Sequence, residues 1–273
     1  MSKIQLKNKV VVITGASSGI GKACAVAFAD AGAHVMLAAR NGEKLKQVAD
    51  EISQRGHSVA MCVTDVSVED DCRKLMETTI HNFGTIHILI NNAGISMRAI
   101  FSEVDLKVIR QLMDINFWGT VYCTKYAFSE ILKNKGSIAG VSSIAGYKGL
   151  PGRTGYSASK FAMNGFLDAL RVENTKTGIH IMVVCPGYTA SNIRNTALNQ
   201  LGQQQGDSPL DESSLMSAAE VAAHIVNGIV HQKRTVILTL QGKLTVLLNK
   251  FFPSMMDRMV YKVVAKEKDS PFK

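Results

Sequence analysis

The chain has 273 residues, 46% of them apolar, which suits one large domain or two small ones with a sizeable core. Its net charge is +9, but the 41 residues from Lys233 onward carry nine basic and three acidic side chains, so most of the excess belongs to the tail and not to a nucleic-acid-binding body. No apolar run approaches the roughly 18 residues of a spanning helix, the polar start has no apolar signal core, and five irregularly spaced cysteines without a Cys-x-x-Cys pair predict reduced thiols and a cytoplasmic protein.

Val10 to Thr14 is a continuous β-branched run, the pattern of a buried parallel strand. A glycine-rich turn and an alanine-rich helix over 19–31 follow, with Gly32 at the helix end. Strands are predicted over 34–39, 58–64, 86–90, 137–142, 180–185 and 235–240. Helices are predicted over 43–55, 67–83, 106–133, 157–176 and 217–232, the second opened by a variant capping box of Ser67 with Asp70. Strands alternating with helices imply an α/β fold: one doubly wound Rossmann domain over 1–240, its seven-stranded parallel sheet covered on both faces. Residues 190–216 are rich in Asn, Gln, Gly and Ser and read as a lid; 241–273 read as a basic amphipathic helical extension.

Thr14-Gly15-Ala16-Ser17-Ser18-Gly19-Ile20-Gly21 joins the first strand to the first helix. Glycines there let backbone N–H groups approach a pyrophosphate, and the helix N-terminus adds partial positive charge. An NAD site places an acidic residue at the end of the second strand, about 20 residues on. Here that strand ends Ala38-Ala39-Arg40. Arg40 suits a ribose 2′-phosphate, so the cofactor is predicted to be NADP(H); the alternative is an exposed arginine that merely opens a loop.

Tyr156 and Lys160 stand four residues apart, on one face of a helix. An ammonium beside a phenol is predicted to lower its pKa and make it a general acid/base. The pair alone could be an exposed i,i+4 contact; its company decides.

Thr14-Gly15-x-x-x-Gly19-x-Gly21, Asn91-Asn92-Ala93-Gly94, Ser143 and Tyr156-x-x-x-Lys160, in that order, resemble the short-chain dehydrogenase/reductase family over residues 8–240. The shared segments are most similar to its 11β-hydroxysteroid dehydrogenase-like branch, with dehydrogenase/reductase members 7 and 7B. The resemblance implies catalytic roles for Ser143, Tyr156, Lys160 and Asn116, the serine chosen over Ser142 by its offset from the tyrosine. It implies cofactor contacts from Gly15, Ser17, Ser18, Gly19, Ile20, Gly21, Arg40, the Asp65-Val66 pair, Asn92, Ala93, Gly94, Tyr156, Lys160, Pro186, Gly187 and Thr189, and no metal. It further implies a homodimer or homotetramer, built through the helices over 106–133 and 157–176.

Met97, Tyr147, Leu150, Tyr188 and Ile193 are pocket candidates, mostly apolar, and point to a small-molecule carbonyl or alcohol of steroid, retinoid or lipid type. A 3-oxoacyl-carrier-protein reductase and a non-catalytic dinucleotide sensor are the alternatives. In the tail, apolar residues around Pro253 follow helical spacing with lysines and arginines between them. Packing over the pocket or on another subunit is the favoured reading, and peripheral membrane contact the other.

Overall fold

The computed structural model describes residues 3–189, 193–206, 215–267 and 270–272. Its elements run β1 (Val10–Thr14), α1 (Gly19–Asp30), β2 (His34–Ala39), α2 (Gly42–Gln54), β3 (Val59–Val63), α3 (Glu69–Phe83) and β4 (Ile88–Asn91). Then come α4 (Leu106–Leu112), a π-helical turn (Met113–Trp118), α5 (Gly119–Lys133), β5 (Ser137–Val141), a 3₁₀ turn (Ile144–Gly146), α6 (Thr154–Glu173) and β6 (His180–Cys185). The chain finishes with α7 (Ala218–Val230), β7 (Thr235–Ile237), α8 (Leu240–Phe251) and α9 (Pro253–Ala265).

All neighbouring strands pair in parallel, in the order β3-β2-β1-β4-β5-β6-β7. Alternation along each strand divides the core. Val11, Ile13, Val35 and Leu37 pack with α1, α2 and α7, while Val12, Met36, Ile138 and Val183 pack with α3, α5 and α6. A smaller apolar cluster of Met97, Val108, Leu112, Tyr156 and Leu198 lies beneath the site. The strand order reverses between β1 and β4, which opens a crevice at the carboxyl edge of the sheet.

Local differences from the sequence reading have physical causes. The Ser67–Asp70 capping box does not form. Val68 is the N-cap of α3, and the Ser67 hydroxyl donates to Asp65 at 2.7 Å instead. The long helix predicted over 106–133 is interrupted by the π-helical turn that carries Asn116. The last strand stops at Ile237, because the Thr239 hydroxyl accepts the Gly242 N–H and starts α8. No helix among the described residues is long and apolar enough to cross a membrane.

Candidate active site

The site grows from the turn after β1. Gly15 and Gly19 take φ of +67° and +53°, which strain any side chain. A Cβ on Gly21 would collide with the Gly15 carbonyl, so α1 rests directly on the turn. Asn92 Nδ2 donates to the Thr14 carbonyl at 2.9 Å, and the Asn92 and Ala93 N–H groups both reach Thr14 Oγ1 at 3.0 Å. The two turns therefore form one rigid unit.

Beside that unit lies a cavity of about 750 Å³. Gly15, Ser17, Ser18, Gly19 and Ile20 line one side, and Asp65, Val66, Asn92, Ala93 and Gly94 another. Exposed Arg40 stands on its rim and has no ion-pair partner among the described residues. Glu43 belongs to the first turn of α2 and does not line the cavity. One Asp65 oxygen is committed to the Ser67 N–H and hydroxyl at 3.0 and 2.7 Å. Within the predicted lid, Ile193 lines this cavity, as do Thr196, Leu198 and Gln204. Residues 190–192 and 207–214 of that lid lie outside the described residues.

Helix α6 begins at Thr154, three residues before its predicted start, so Tyr156 sits in its first turn and is buried. Lys160 Nζ lies 5.8 Å from the Tyr156 ring centre and donates to the Val141 carbonyl at 2.9 Å. Ser143 closes β5. Its Oγ accepts the Ala145 N–H at 3.1 Å, and the hydroxyl favours the ionised form of the Tyr156 phenol. Burial pushes the phenol above its ordinary value, and the Ser143 hydroxyl and the Arg153 charge only draw it part of the way back. Burial brings Lys160 down to about 8. In place of the expected lowering by a lysine ammonium, burial raises the tyrosine, and the lysine is itself drawn toward neutrality.

Asn116 is fully buried in the π-helical turn. Its Oδ1 accepts the Ile95 N–H at 2.8 Å, and its Nδ2 donates to the Ile95 carbonyl and Ser159 Oγ, both at 2.9 Å. Ser159 in turn donates to the Tyr156 carbonyl at 2.8 Å. One side chain therefore pins the turn after β4 to the start of α6. At Gly94, a Cβ would stand 3.1 Å from Asn116 Oδ1 and 3.4 Å from Lys160 Nζ, so this glycine keeps a gap between them.

A second cavity, of about 450 Å³, is lined by Ser143, while Gly94, whose Cβ position is 3.4 Å from Lys160 Nζ, lines the first; Tyr156 and Lys160 themselves line neither. Leu150, Pro186, Gly187 and Tyr188 line the second cavity too, and α8 and α9 complete it with Leu244, Leu248, Met256, Val260 and Val264. Of the other pocket candidates, Met97 is buried in the cluster under Tyr156, Tyr147 packs toward the sheet, and Ile193 faces the larger cavity. Thr189 is buried, its hydroxyl turned to the Gly187 carbonyl at 3.2 Å, and lines neither cavity.

The short chain dehydrogenase family profile matches residues 9–202. The chain is 35% identical to dehydrogenase/reductase SDR family member 7B of Rattus norvegicus over 98% of its length and 85% of the rat protein. It is a short-chain dehydrogenase/reductase. It falls in the branch of that protein and of the 11-beta-hydroxysteroid dehydrogenase-like 4A of Arabidopsis thaliana, 38% identical over 84% of this chain and 76% of the plant protein. A short chain dehydrogenase/reductase from Burkholderia phymatum, solved in complex with NAD, superposes with a TM-score of 0.83 at 22% identity, covering 92% of this chain and 96% of that one. An alcohol dehydrogenase from Thermococcus sibiricus, complexed with 5-hydroxy-NADP, gives 0.76 at 23% identity over 86% and 96% of the two chains. These likenesses place the fold.

The family profile of this short-chain dehydrogenase/reductase ends before α8 and α9, which pack over the smaller cavity as the favoured reading of the tail had it, but the residues they supply were not foreseen. Thr239, Gln241 and Thr245 join Ser143 as polar residues lining a mostly apolar cavity. Both carboxylate oxygens of Glu267, beyond α9, lie 3.0 Å from Arg153 Nη2, and Oε2 lies 3.4 Å from Arg98 Nε. Arg153 is the N-cap of α6, so the tail is tied to the start of the Tyr156 helix. Asp257 pairs with Lys148 in the preceding loop, and Asn249 donates to the Tyr147 carbonyl at 3.2 Å. Thr239 before Gly242 was the available signal of a cap; a charged residue 114 positions from its partner leaves none.

Proposed function

We propose that the protein is an NADP(H)-dependent oxidoreductase that interconverts a carbonyl and a secondary alcohol, and that it reduces apolar ketones or aldehydes of steroid, retinoid or lipid type. The observation that carries this reading is the position of Ser143, which lines the apolar cavity and acts on the ionisation of the Tyr156 phenol. The glycine cradle admits backbone close to a pyrophosphate, and the cavity beside it is large enough for a dinucleotide. The guanidinium of Arg40, without an ion-pair partner among the described residues, and the lack of a carboxylate at the end of β2 support NADP(H) over NAD(H).

When bound, the nicotinamide supplies or accepts the hydride. Ser143 Oγ–H holds the substrate oxygen and stabilises its growing negative charge. Tyr156, raised by burial, keeps its proton at neutral pH and can give it to that oxygen. Lys160, near 8, can then return a proton to the phenolate, and the gap at Gly94 beside Asn116 gives that proton a way in. Asn116 keeps the first turn of α6 and the turn after β4 in register. The few polar groups of the smaller cavity orient the substrate, and its apolar walls select it.

Exposed Trp118, Phe161 and Val172 on and around α5 and α6 support a homodimer or homotetramer, and five free cysteines are in keeping with a cytoplasmic location. Nucleotide oxidation against a panel of ketones, aldehydes and quinones tests the reading. Turnover of apolar carbonyls with NADPH well above NADH is expected; preference for NADH, or no turnover with any carbonyl, overturns it. Reduction of a 3-oxoacyl thioester is the second reading, favoured by basic Lys243, Lys262 and Lys266 on the helices that form the cavity. Acetoacetyl thioester turned over in preference to every bulky ketone is its signature.

A further inference from the structure

We infer that Glu267 is a positioning residue for the proton donor: acting through Arg153, it holds the first turn of α6, and with it Tyr156, in place when substrate fills the smaller cavity. This rests on the carbonyl-reductase reading. Every other described charged side chain from Leu240 onward is exposed, whereas only 2% of the Glu267 side chain is. A carboxylate is costly to bury unless its partners are strong. Arg153 Nη2 donates to both of its oxygens at 3.0 Å, and Arg98 Nε lies 3.4 Å from one of them. The two guanidinium side chains are themselves only 12% and 15% exposed.

Both arginines belong to segments that fix the phenol. The Arg153 carbonyl accepts the Ser157 N–H at 2.8 Å, the first bond of α6, and no side chain caps the helix there. The Arg153 N–H donates to the Leu150 carbonyl at 3.1 Å, and the Leu150 N–H to Ser157 Oγ at 3.2 Å, so the loop and the first turn of α6 move together. Arg98 follows Met97, which is buried in the cluster with Tyr156 and would lie 3.2 Å from a Cβ on Gly155. The Ala99 N–H donates to the Gly152 carbonyl at 2.9 Å, and the Phe272 ring stands 3.4 Å from the Cβ position of Gly152. Glu267 therefore joins the tail to the loops on both sides of Tyr156. The same turn touches the cavity. Val264 lines it, and the Val264 carbonyl accepts the Glu267 N–H at 3.1 Å. A substrate packed on Val264 stabilises the turn that carries Glu267, and Glu267 holds the donor, so the two effects support each other. A bulky apolar carbonyl is then turned over faster than a small one that leaves this wall uncovered.

The test uses the full-length protein and the variants Glu267→Gln, Arg153→Met and their double, none at a cavity-lining residue. Asp257→Asn, which removes the tail's exposed ion pair with Lys148, is the control. The readouts are kcat and KM with NADPH for a bulky apolar ketone and a small water-soluble one, calorimetric NADPH binding, and hydrogen exchange over residues 154–158. Glu267→Gln should lower kcat for the bulky ketone by about tenfold or more, with NADPH affinity little changed and faster exchange in the first turn of α6. The small ketone should lose less, so the advantage of the bulky one shrinks. The double variant should fall no further than the worse single one, because both changes break one link. An unchanged kcat in folded Glu267→Gln overturns the inference, as do additive losses in the double variant or an equal loss in Asp257→Asn. Should Glu267→Gln not fold, Arg153→Lys, which keeps the charge and shortens its reach, must show the same fall in kcat and the same faster exchange, or the inference fails. A wild type that turns over no carbonyl sinks the reductase reading alone. Exchange over residues 154–158 then decides: faster in the variants supports the positioning role, and unchanged overturns it.

Discussion

Lys160→Met separates stability from activity in this protein. The ammonium has an ordinary pKa of 10.5 and is brought to about 8 by burial. Between those values the unfolded chain holds a proton that the folded one has released, so stability rises with pH across that window. Below about pH 8 the cost of burying the charge is present in full, and at about 1.4 kcal/mol per pH unit it amounts to roughly 3 kcal/mol. Methionine has a similar length and no charge. It forfeits the hydrogen bond to the Val141 carbonyl, worth about 1 kcal/mol. The variant should therefore be more stable than the wild type by roughly 2 kcal/mol at neutral pH. The gap should close as pH climbs toward 10, while carbonyl reduction is lost throughout. Urea denaturation at a series of pH values reads the difference directly. A variant less stable at neutral pH, with a difference that does not change with pH, would refute the account of a strained buried lysine.

Arg40→Ala should raise the KM for NADPH by about tenfold to a hundredfold, the worth of one charge-assisted bond, and leave that for NADH in place; steady-state kinetics with both nucleotides checks it. Gly21→Ala drives a Cβ into the Gly15 carbonyl, and NADPH affinity measured by calorimetry should fall by about tenfold or more. Glu267→Ala leaves two largely buried arginines without their shared carboxylate, whose side chain is 2% exposed, and should cost about 3 kcal/mol in denaturant unfolding.

The parallel sheet was legible because it leaves a coarse signature: β-branched runs such as Val10–Ile13 alternate with helical spacing, and right-handed crossovers then permit few arrangements. The turn after β1 was legible because its glycines answer a backbone requirement that no other residue meets. The Tyr156–Lys160 pair was readable as a pair, but not its electrostatics. Burial decides the direction of both pKa shifts, and burial depends on Met97, Leu112 and Leu198 arriving from distant segments. Tyr147 and Met97 were mistaken for pocket residues because apolar character near the site does not say which way a side chain turns. The cavity is instead completed by α8 and α9. Their helical spacing was visible and packing over the pocket was one half of the favoured reading, but the pairs that fix them there, such as Glu267 with Arg153, are announced by no local pattern.

The central claim, that the Tyr156 phenol delivers the proton, is tested most directly by Tyr156→Phe, assayed for NADPH-linked reduction of an apolar ketone alongside calorimetric NADPH binding. The account predicts a fall in kcat of about a hundredfold or more with nucleotide affinity little changed, because the ring keeps its packing and only the proton donor is gone. A variant that keeps most of the wild-type turnover would contradict it.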